Sequence, residues 1–274
     1  MAITAADVNK LRQQTGAGMM DCKNALVESN GDFEAAIDIL RKKGQKIAAK
    51  RGDNEAKEGL IFAEASADGK TGVILTLNCE TDFVAMNDNF RAFMQSLVDI
   101  ALANMPASIE ELKALPYNEK LSVEEKITEH VGVVGEKLDL SQFATISAAQ
   151  VSAYNHPGNQ IATLVGLSIE GSDDAGKQVA MQIAAMNPLA LNKEGISQDT
   201  IDRELEIGKE LAIQEGKPAE MAEKISQGRL NKFFQENTLL SQPFVRDNKL
   251  SVEEFLNSTT KGLTVTSFER FALK

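Results

Sequence analysis

The chain has 274 residues, 43% of them hydrophobic and 25% charged, which is the balance of an ordinary soluble globular protein with enough length for one large or several small cores. Its formal net charge is −11, and an excess of acidic residues argues against a protein that grips a phosphate backbone directly. No run approaches the ~20 apolar residues of a membrane span, and Met1-Ala2-Ile3-Thr4 lacks the basic and apolar regions of an export signal. Cys22 and Cys79 lie far apart in apolar patterns, which reads as reduced thiols, so a cytoplasmic location is expected.

Residues 4 to 44 read as three short helices. Thr4 caps the first, with Asp7 in its first turn and Val8, Leu11 and Arg12 at helical spacing. Gly16 and Gly18 break it, and a second helix carries Met19, Met20, Ala25 and Leu26. Consecutive helix positions cannot both point inward, so one of the two methionines is expected in the core and the other outside. Asn30-Gly31 turns the chain, Asp32 caps, and Phe33, Ala36, Ile37 and Leu40 form a third stripe ending at Gly44. Residues 45 to 59 look like a polar linker, helical at most at its start.

The period then changes. Leu60 to Ser66 reads as a strand, Asp68-Gly69 as a hairpin turn and Thr71 to Asn78 as the partner strand. Next comes Asn78-Cys79-Glu80-Thr81-Asp82-Phe83-Val84-Ala85-Met86, where the strand hands over to a helix starting near Asn87 or Asp88. That helix turns Phe90, Phe93, Leu97, Ile100 and Ala101 inward. Two readings of Asp82-Phe83 compete: a capping carboxylate followed by a core phenyl, or a pair projecting from a rigid base. Residues 107 to 146 read as helical and acidic.

Residues 150 to 154 and 161 to 169, joined by Pro157-Gly158-Asn159, then repeat the strand, turn, strand order. An acid-capped helix with Val179, Ile183 and Met186 follows, ending before Pro188 as the earlier one ends before Pro106, which suggests an internal duplication. From Ser197 to Phe234 the pattern is a helical hairpin. Ile201, Leu205, Gly208 and Ala212 form one seam, Gly216 and Pro218 make the turn, and Met221, Ile225 and Gly228 continue the seam on the return. A short helix at Val252 to Leu256 and a strand from Leu263 to Phe271 close the chain.

Catalytic motifs are absent from the sequence. A Cys–His enzyme would need Cys22 or Cys79 beside His130 or His156, none of them in a motif of fixed spacing, and the same residues fail the spacing of a zinc site. No phosphate loop, dinucleotide fingerprint or nucleophile elbow occurs. Two readings remain open at this level. The helical module could bind a ubiquitin-like or other protein ligand on an inert scaffold, or a pocket could be lined by Cys79 and His156.

The run Thr15-Gly16-Ala17-Gly18-Met19-Met20-Asp21-Cys22-Lys23-Asn24-Ala25-Leu26 resembles the signature of the bacterial elongation factor Ts family. Thr81-Asp82-Phe83-Val84, then Gly216-Lys217-Pro218 with Ala222-Glu223-Lys224-Ile225 and Gly228-Arg229, and finally Gln242-Pro243-Phe244-Val245 are similar to that family's further motifs, in its order. The resemblance implies an α+β fold: an N-terminal three-helix module like a ubiquitin-associated domain, a duplicated α+β core, and an inserted antiparallel coiled-coil arm. The domains it implies are 1–52, 53–147, 148–192 with 241–274, and 193–240 for the arm. It implies guanine nucleotide exchange on elongation factor Tu by dislocating Mg²⁺, with no covalent chemistry, no catalytic residue, and no cofactor or metal of its own. Thr81, Asp82, Phe83 and Val84 would form the Mg²⁺-dislocating segment. Arg12, Met19 and Met20 would grip the partner's GTPase domain, and His156 would reach toward its phosphate loop. Nucleic acid and membrane are not expected partners, and a homodimer or a 2:2 complex stays open. The segment from Val131 to Phe143 lacks an arginine pair that many members carry, and after Phe271-Ala272-Leu273-Lys274 there is no C-terminal helix of the kind longer members place against the partner.

Overall fold

A computed structural model describes residues 3–273; Met1, Ala2 and Lys274, which figure in the readings of the two termini, lie outside the described residues. The described chain mixes helix and strand in an α+β arrangement. It begins with α1 (Ala5–Thr15), α2 (Met19–Glu28) and α3 (Phe33–Arg51). Thr4 closes a capping box with Asp7, and Gly16 takes the left-handed conformation, φ 72°, that ends α1. Val8, Leu11, Cys22, Ala25, Leu26 and Ala36 fill the small core between these helices.

Helix α3 does not stop at Gly44. It runs on to Arg51 through Ile47 and Ala48, which pack against the core of the next unit, so the first half of the segment expected as linker is helix, as its start was expected to be, and only residues 52–57 are irregular. The glycine serves close approach rather than termination. A Cβ on Gly44 would meet the Thr128 carbonyl oxygen at 3.2 Å, and one on Gly132 would meet the Gly44 Cα at 2.8 Å. Backbone therefore lies on backbone where α3 crosses the helix that carries Gly132.

The core is built from two three-stranded antiparallel sheets. In the first, β1 (Glu58–Ala65) and β2 (Thr71–Cys79) form the expected hairpin. After α4 (Asp82–Ala85), α5 (Asp88–Asn104), α6 (Ile109–Ala114) and α7 (Val123–Val134), strand β3 (Asp139–Ser147) returns to pair with β2. Strand β3 lies within the stretch expected to be helical. Its alternation is broken between Leu140 and Phe143, where the register with β2 shifts at Thr76/Leu77, so it offers no clean period of two. In the second sheet β4 (Gln150–Asn155) and β5 (Ile161–Leu167) pair, α8 (Asp173–Met186) follows, and β8 (Val265–Ala272) adds to β5. The parallel between the two units extends to their helix ends. Met105 after α5 has φ 46° and ψ 53°, Asn187 after α8 has φ 45° and ψ 57°, and a proline follows each.

Two expectations for α8 do not hold. Ser172 and not an acid stands at its N-cap, without a side-chain cap because its hydroxyl donates to the Ile169 carbonyl, and Asp173 is engaged with the Ser152 hydroxyl at 2.9 Å and with Lys177. Met186 lies outside the buried stripe of Val179 and Ile183 and is exposed.

Between α8 and β8 the chain makes α9 (Gln198–Gln214) and α10 (Ala219–Asn237), an antiparallel pair joined through Gly216 at φ 77°. Gly208 and Ala212 line the contact as expected, with Ser226 touching where a Gly208 Cβ would be, at 3.2 Å. On the return helix, however, the buried positions are Ala222, Ser226 and Leu230. Met221 is exposed and Gly228 meets nothing, so the seam lies one residue away from the expected Met221, Ile225 and Gly228. The chain then forms the small pair β6 (Pro243–Phe244) and β7 (Asp247–Ser251), followed by α11 (Val252–Thr259).

The two sheets face each other across Ile61, Ala63, Ile74, Ile146, Val151, Ala162 and Leu164. Gly72 lets them come together, since a Cβ there would lie 2.8 Å from both Leu164 and Val151 side chains. One side chain also bridges them as backbone would. Asn155 accepts from the Ala63 N–H and donates to the Ala63 carbonyl, each at 2.8 Å, and the Asn159 carbonyl accepts from the Ile61 N–H at 2.8 Å.

His130 on α7 is stacked on Phe93 at 4.0 Å and its Nε2 has no hydrogen-bond partner. Burial, with Lys126 adding to it, pulls its pKa down from 6.5 to about 4.

Two outcomes follow for stability. Gly132→Ala forces α3 and α7 apart and is expected to lower unfolding free energy by about 1–3 kcal/mol in denaturant titration. Because His130 binds a proton more weakly folded than unfolded, stability is full above pH 6.5 and falls as pH drops toward 4, by about 3 kcal/mol from this group. Unfolding curves of His130→Leu measured across that window should lose that part of the slope.

Candidate functional site

The chain leaves β2 through a turn that is fastened from three sides. Glu136, just past the C-cap of α7, accepts from the N–H groups of Glu80 and Thr81 at 3.1 and 3.0 Å and from the Thr81 hydroxyl at 2.6 Å. Glu80 in turn pairs with Arg51 at the end of α3 at 2.7 Å, accepts from Asn54 at 2.9 Å and takes the Lys137 N–H at 2.6 Å. Beneath them the Cys79 thiol donates to the Thr81 carbonyl at 3.1 Å. Charge-assisted bonds of this kind are short and strong, and here they hold backbone rather than a mobile tip.

On this base stands the four-residue helix α4. Thr81 is its N-cap, accepting from the Val84 N–H at 3.4 Å, so the cap is the hydroxyl and not the Asp82 carboxylate. Ala85 is buried and Val84 packs against the core, while Asp82 points to solvent. Phe83 is 83% exposed and the neighbouring Met86 69%. Such exposure of a phenyl ring on a fastened turn excludes the reading of Phe83 as a core residue. Asn87 then caps α5, whose Phe90, Phe93, Leu97 and Ala101 are buried as expected, with Met94 and Val98; Ile100 is only partly covered.

The other residues singled out in the sequence lie on separate elements. Met19 and Met20 are both exposed, at 60% and 64%, so neither is the expected core residue; Cys22, Ala25 and Leu26 fill that role on α2. Arg12 is exposed on α1. His156 is exposed in the β4–β5 turn with its Nδ1 3.0 Å from the Tyr154 hydroxyl. That turn is tied back to the first unit, because Arg91 on α5 donates to the Asn159 side chain at 2.6 Å.

Chemical reactivity is low where the sequence left it open. Burial, reinforced by the Glu136 carboxylate, pushes the Cys79 thiol up to about 12, and burial raises Cys22 as well. Cys79 does not line the cleft that holds His156, so the two do not form a nucleophile and base. Among the described residues no group of three or more His, Cys, Asp or Glu could hold a metal ion, and no helix is long and apolar enough to cross a membrane.

Glu136, Glu80 and Arg51 carry no signal in the sequence; their importance arises only when distant segments meet under Thr81. Met86 could have been found, since it lies three residues after Phe83 on one helical face. Glu136→Ala removes three bonds at once, and hydrogen exchange should show the Glu80 and Thr81 amides opening about 10- to 100-fold more readily, with the β1–β2 ladder unchanged.

A family model described as elongation factor TS matches residues 80–274. Elongation factor Ts of Christiangramia forsetii is 53% identical over 273 residues, covering 99% of this chain and 98% of that one. That of Amoebophilus asiaticus is 54% identical over 273 residues, with 98% of each chain covered. More distant, elongation factor Ts of Chloroherpeton thalassium is 43% identical over 272 residues, covering 96% of this chain and 94% of its own. With likeness of this degree running nearly end to end, and with the fastened turn lying inside the matched span, the chain belongs to the elongation factor Ts family.

Proposed function

We propose that this protein is a guanine nucleotide exchange factor for elongation factor Tu in translation elongation, working in the cytoplasm. The observation that carries the reading is Phe83, a large apolar side chain held out in solvent by a turn that cannot give way.

An exchange factor makes and breaks no covalent bond, so its effect must come from differential binding. If it binds the nucleotide-free partner more tightly than the nucleotide-bound one, it weakens nucleotide by the same factor. Phe83 is suited to wedge between helices of a GTPase domain, with burial worth about 1.5–3 kcal/mol. Asp82 beside it brings a carboxylate toward a site whose Mg²⁺ tolerates little distortion of its octahedral shell. Thr81 and Val84 hold the turn, so Thr81, Asp82, Phe83 and Val84 act as one Mg²⁺-dislocating segment. The Mg²⁺ and GDP are the partner's; no cofactor or catalytic residue is assigned to this chain. Arg12, Met19 and Met20 grip the GTPase domain from the three-helix module, since two adjacent flexible thioethers suit an adaptable apolar contact. His156 is the third point of contact, near the phosphate loop.

In this reading residues 1–52 are a ubiquitin-associated-like module, 53–147 and 148–192 with 241–274 are the two halves of the core, and 193–240 form a coiled-coil arm. The arm leaves room for a homodimer or a 2:2 assembly. Nucleic acid and membrane have no part in it.

The test follows release of a fluorescent GDP analogue from elongation factor Tu during a chase with unlabelled nucleotide. The protein should accelerate release strongly, and Phe83→Ala should lose about 10- to 100-fold of that acceleration, the equivalent of the apolar burial removed. Undiminished acceleration by Phe83→Ala would overturn the wedge, and no acceleration by the folded wild type would overturn the exchange role.

A further inference from the structure

The exposed large apolar side chains gather in four places. Met19, Met20 and Val27 lie on the first module, Phe83 and Met86 on the fastened turn, and Ile207, Leu211, Ile213 and Met221 on the helical hairpin. Met186, Leu189 and Val245 make up the fourth set; Val245 lines a cleft of about 470 Å³ between the second half of α8, the β4–β5 hairpin and residues 245–246, and Met186 directly follows its lining residue Ala185.

This cleft is lined by two arginines. Tyr154, Thr163 and Arg270 stand in register across β4, β5 and β8, and Arg270 forms its floor. The Arg270 Nε donates to the Ala184 carbonyl at 3.2 Å in the last turn of α8, which anchors the side chain at the cleft, and no other hydrogen bond of its guanidinium is found among the described residues. Arg246 and His156 stand at the rim. No acidic residue lines the cleft, and neither guanidinium has a carboxylate within 4 Å among the described residues, although Arg51 and Arg229 each have one. In a chain of 40 acidic and 29 basic residues, two unpaired arginines in one concavity form a local reversal of charge. Burial without a counter-ion also pulls the Arg270 guanidinium below its ordinary pKa, the mark of a cation that is partly desolvated and uncompensated. The rim is rigid, because Gln182 accepts from the Val245 N–H at 2.8 Å and donates to the Pro243 carbonyl at 3.2 Å.

We infer that this cleft receives an acidic segment of the nucleotide-binding partner, whose carboxylate pairs with Arg246 and Arg270 while its apolar neighbours cover Met186, Leu189 and Val245. The inference rests on the exchange reading and adds a specificity-determining contact to it. Charge complementarity selects an acidic occupant, because a purely apolar segment would leave two guanidinium groups desolvated and unpaired. His156 at the same rim makes the cleft continuous with the contact proposed above. Guanidinium groups take a carboxylate in a paired geometry that an ammonium group does not reproduce.

The experiment compares wild type, Arg246→Glu and Arg246→Lys, all intact chains, for affinity toward nucleotide-free elongation factor Tu between roughly 50 and 300 mM salt. The rate of GDP release at saturating protein is measured in parallel. Arg246 is exposed and holds no other element, so folding of the variants is checked by unfolding midpoint alone. The inference expects Arg246→Glu to weaken affinity about tenfold or more and to flatten its salt dependence, with Arg246→Lys falling between. Affinity and salt dependence of Arg246→Glu within twofold of wild type would overturn the cleft while leaving the exchange reading intact. Sedimentation showing a wild-type dimer that Arg246→Glu dissociates would assign the cleft to a second copy and overturn it too. Failure of the wild type to bind or to accelerate release would bring down both readings together.

Discussion

The two halves of the core meet at an amide that stands in for a strand. Asn155 gives the edge of β1 the donor and acceptor that a neighbouring backbone would give, both to Ala63, and the turn that follows it adds the Asn159 carbonyl on Ile61. Without that bridge β1 would present an unpaired edge, and sheets with such edges are open to slippage and to pairing with other chains. The bridge works only because Gly72 lets the two sheets approach at side-chain contact. The two proposed contacts of the core are both tied to this junction. His156 lies in the bridging turn itself, and Arg91, on the helix that starts just after Phe83, reaches the same turn through Asn159.

A second fastening sits at the other end of β2. Glu136 and Glu80 are carboxylates used structurally: each accepts from backbone N–H groups, and together they tie the ends of α3, β2 and α7 into one knot. The outcome is a turn whose exposed large apolar side chains, Phe83 and Met86, have nowhere inward to go. The thiol in the knot is inert for the same reason, since burial and a nearby negative charge hold it protonated.

Much of this was legible in the chain and some was not, for identifiable reasons. Hairpins β1–β2 and β4–β5 announce themselves through turn residues and continuous apolar runs, and the inward faces of α5 and α8 through their period. Local patterns also put Thr81 to Val84 at a strand exit. They could not say whether Phe83 points in or out, because that depends on Glu136, which arrives from 55 residues away. Strand β3 was hidden by an irregular register and by polar residues on its open side. Gly44 looked like a helix end because glycine marks both ends and close contacts, and only the facing Gly132 tells which. The slip on α10 has a similar origin: small residues, Ala222 and Ser226, fill the seam where larger Met221 and Ile225 seemed the natural choice. Both methionines of α2 were outside because cysteine and alanine sufficed for so small a core.

The crossing of α3 on α7 has a mechanical meaning. Helix α3 begins in the module that carries Met19 and Met20 and ends at Arg51, which holds Glu80; α7 crosses it glycine on glycine and ends one residue before the Gly135–Glu136 pair that holds Thr81. From the module to the phenylalanine the link is one continuous helix closed by the Arg51–Glu80 pair. In the proposed reading the methionines and the phenylalanine are the two jaws of a calliper set to one gap. A surface that accepts both jaws is being measured, and one whose own parts shift so that the gap no longer fits must release one jaw or be held in the shape that matches.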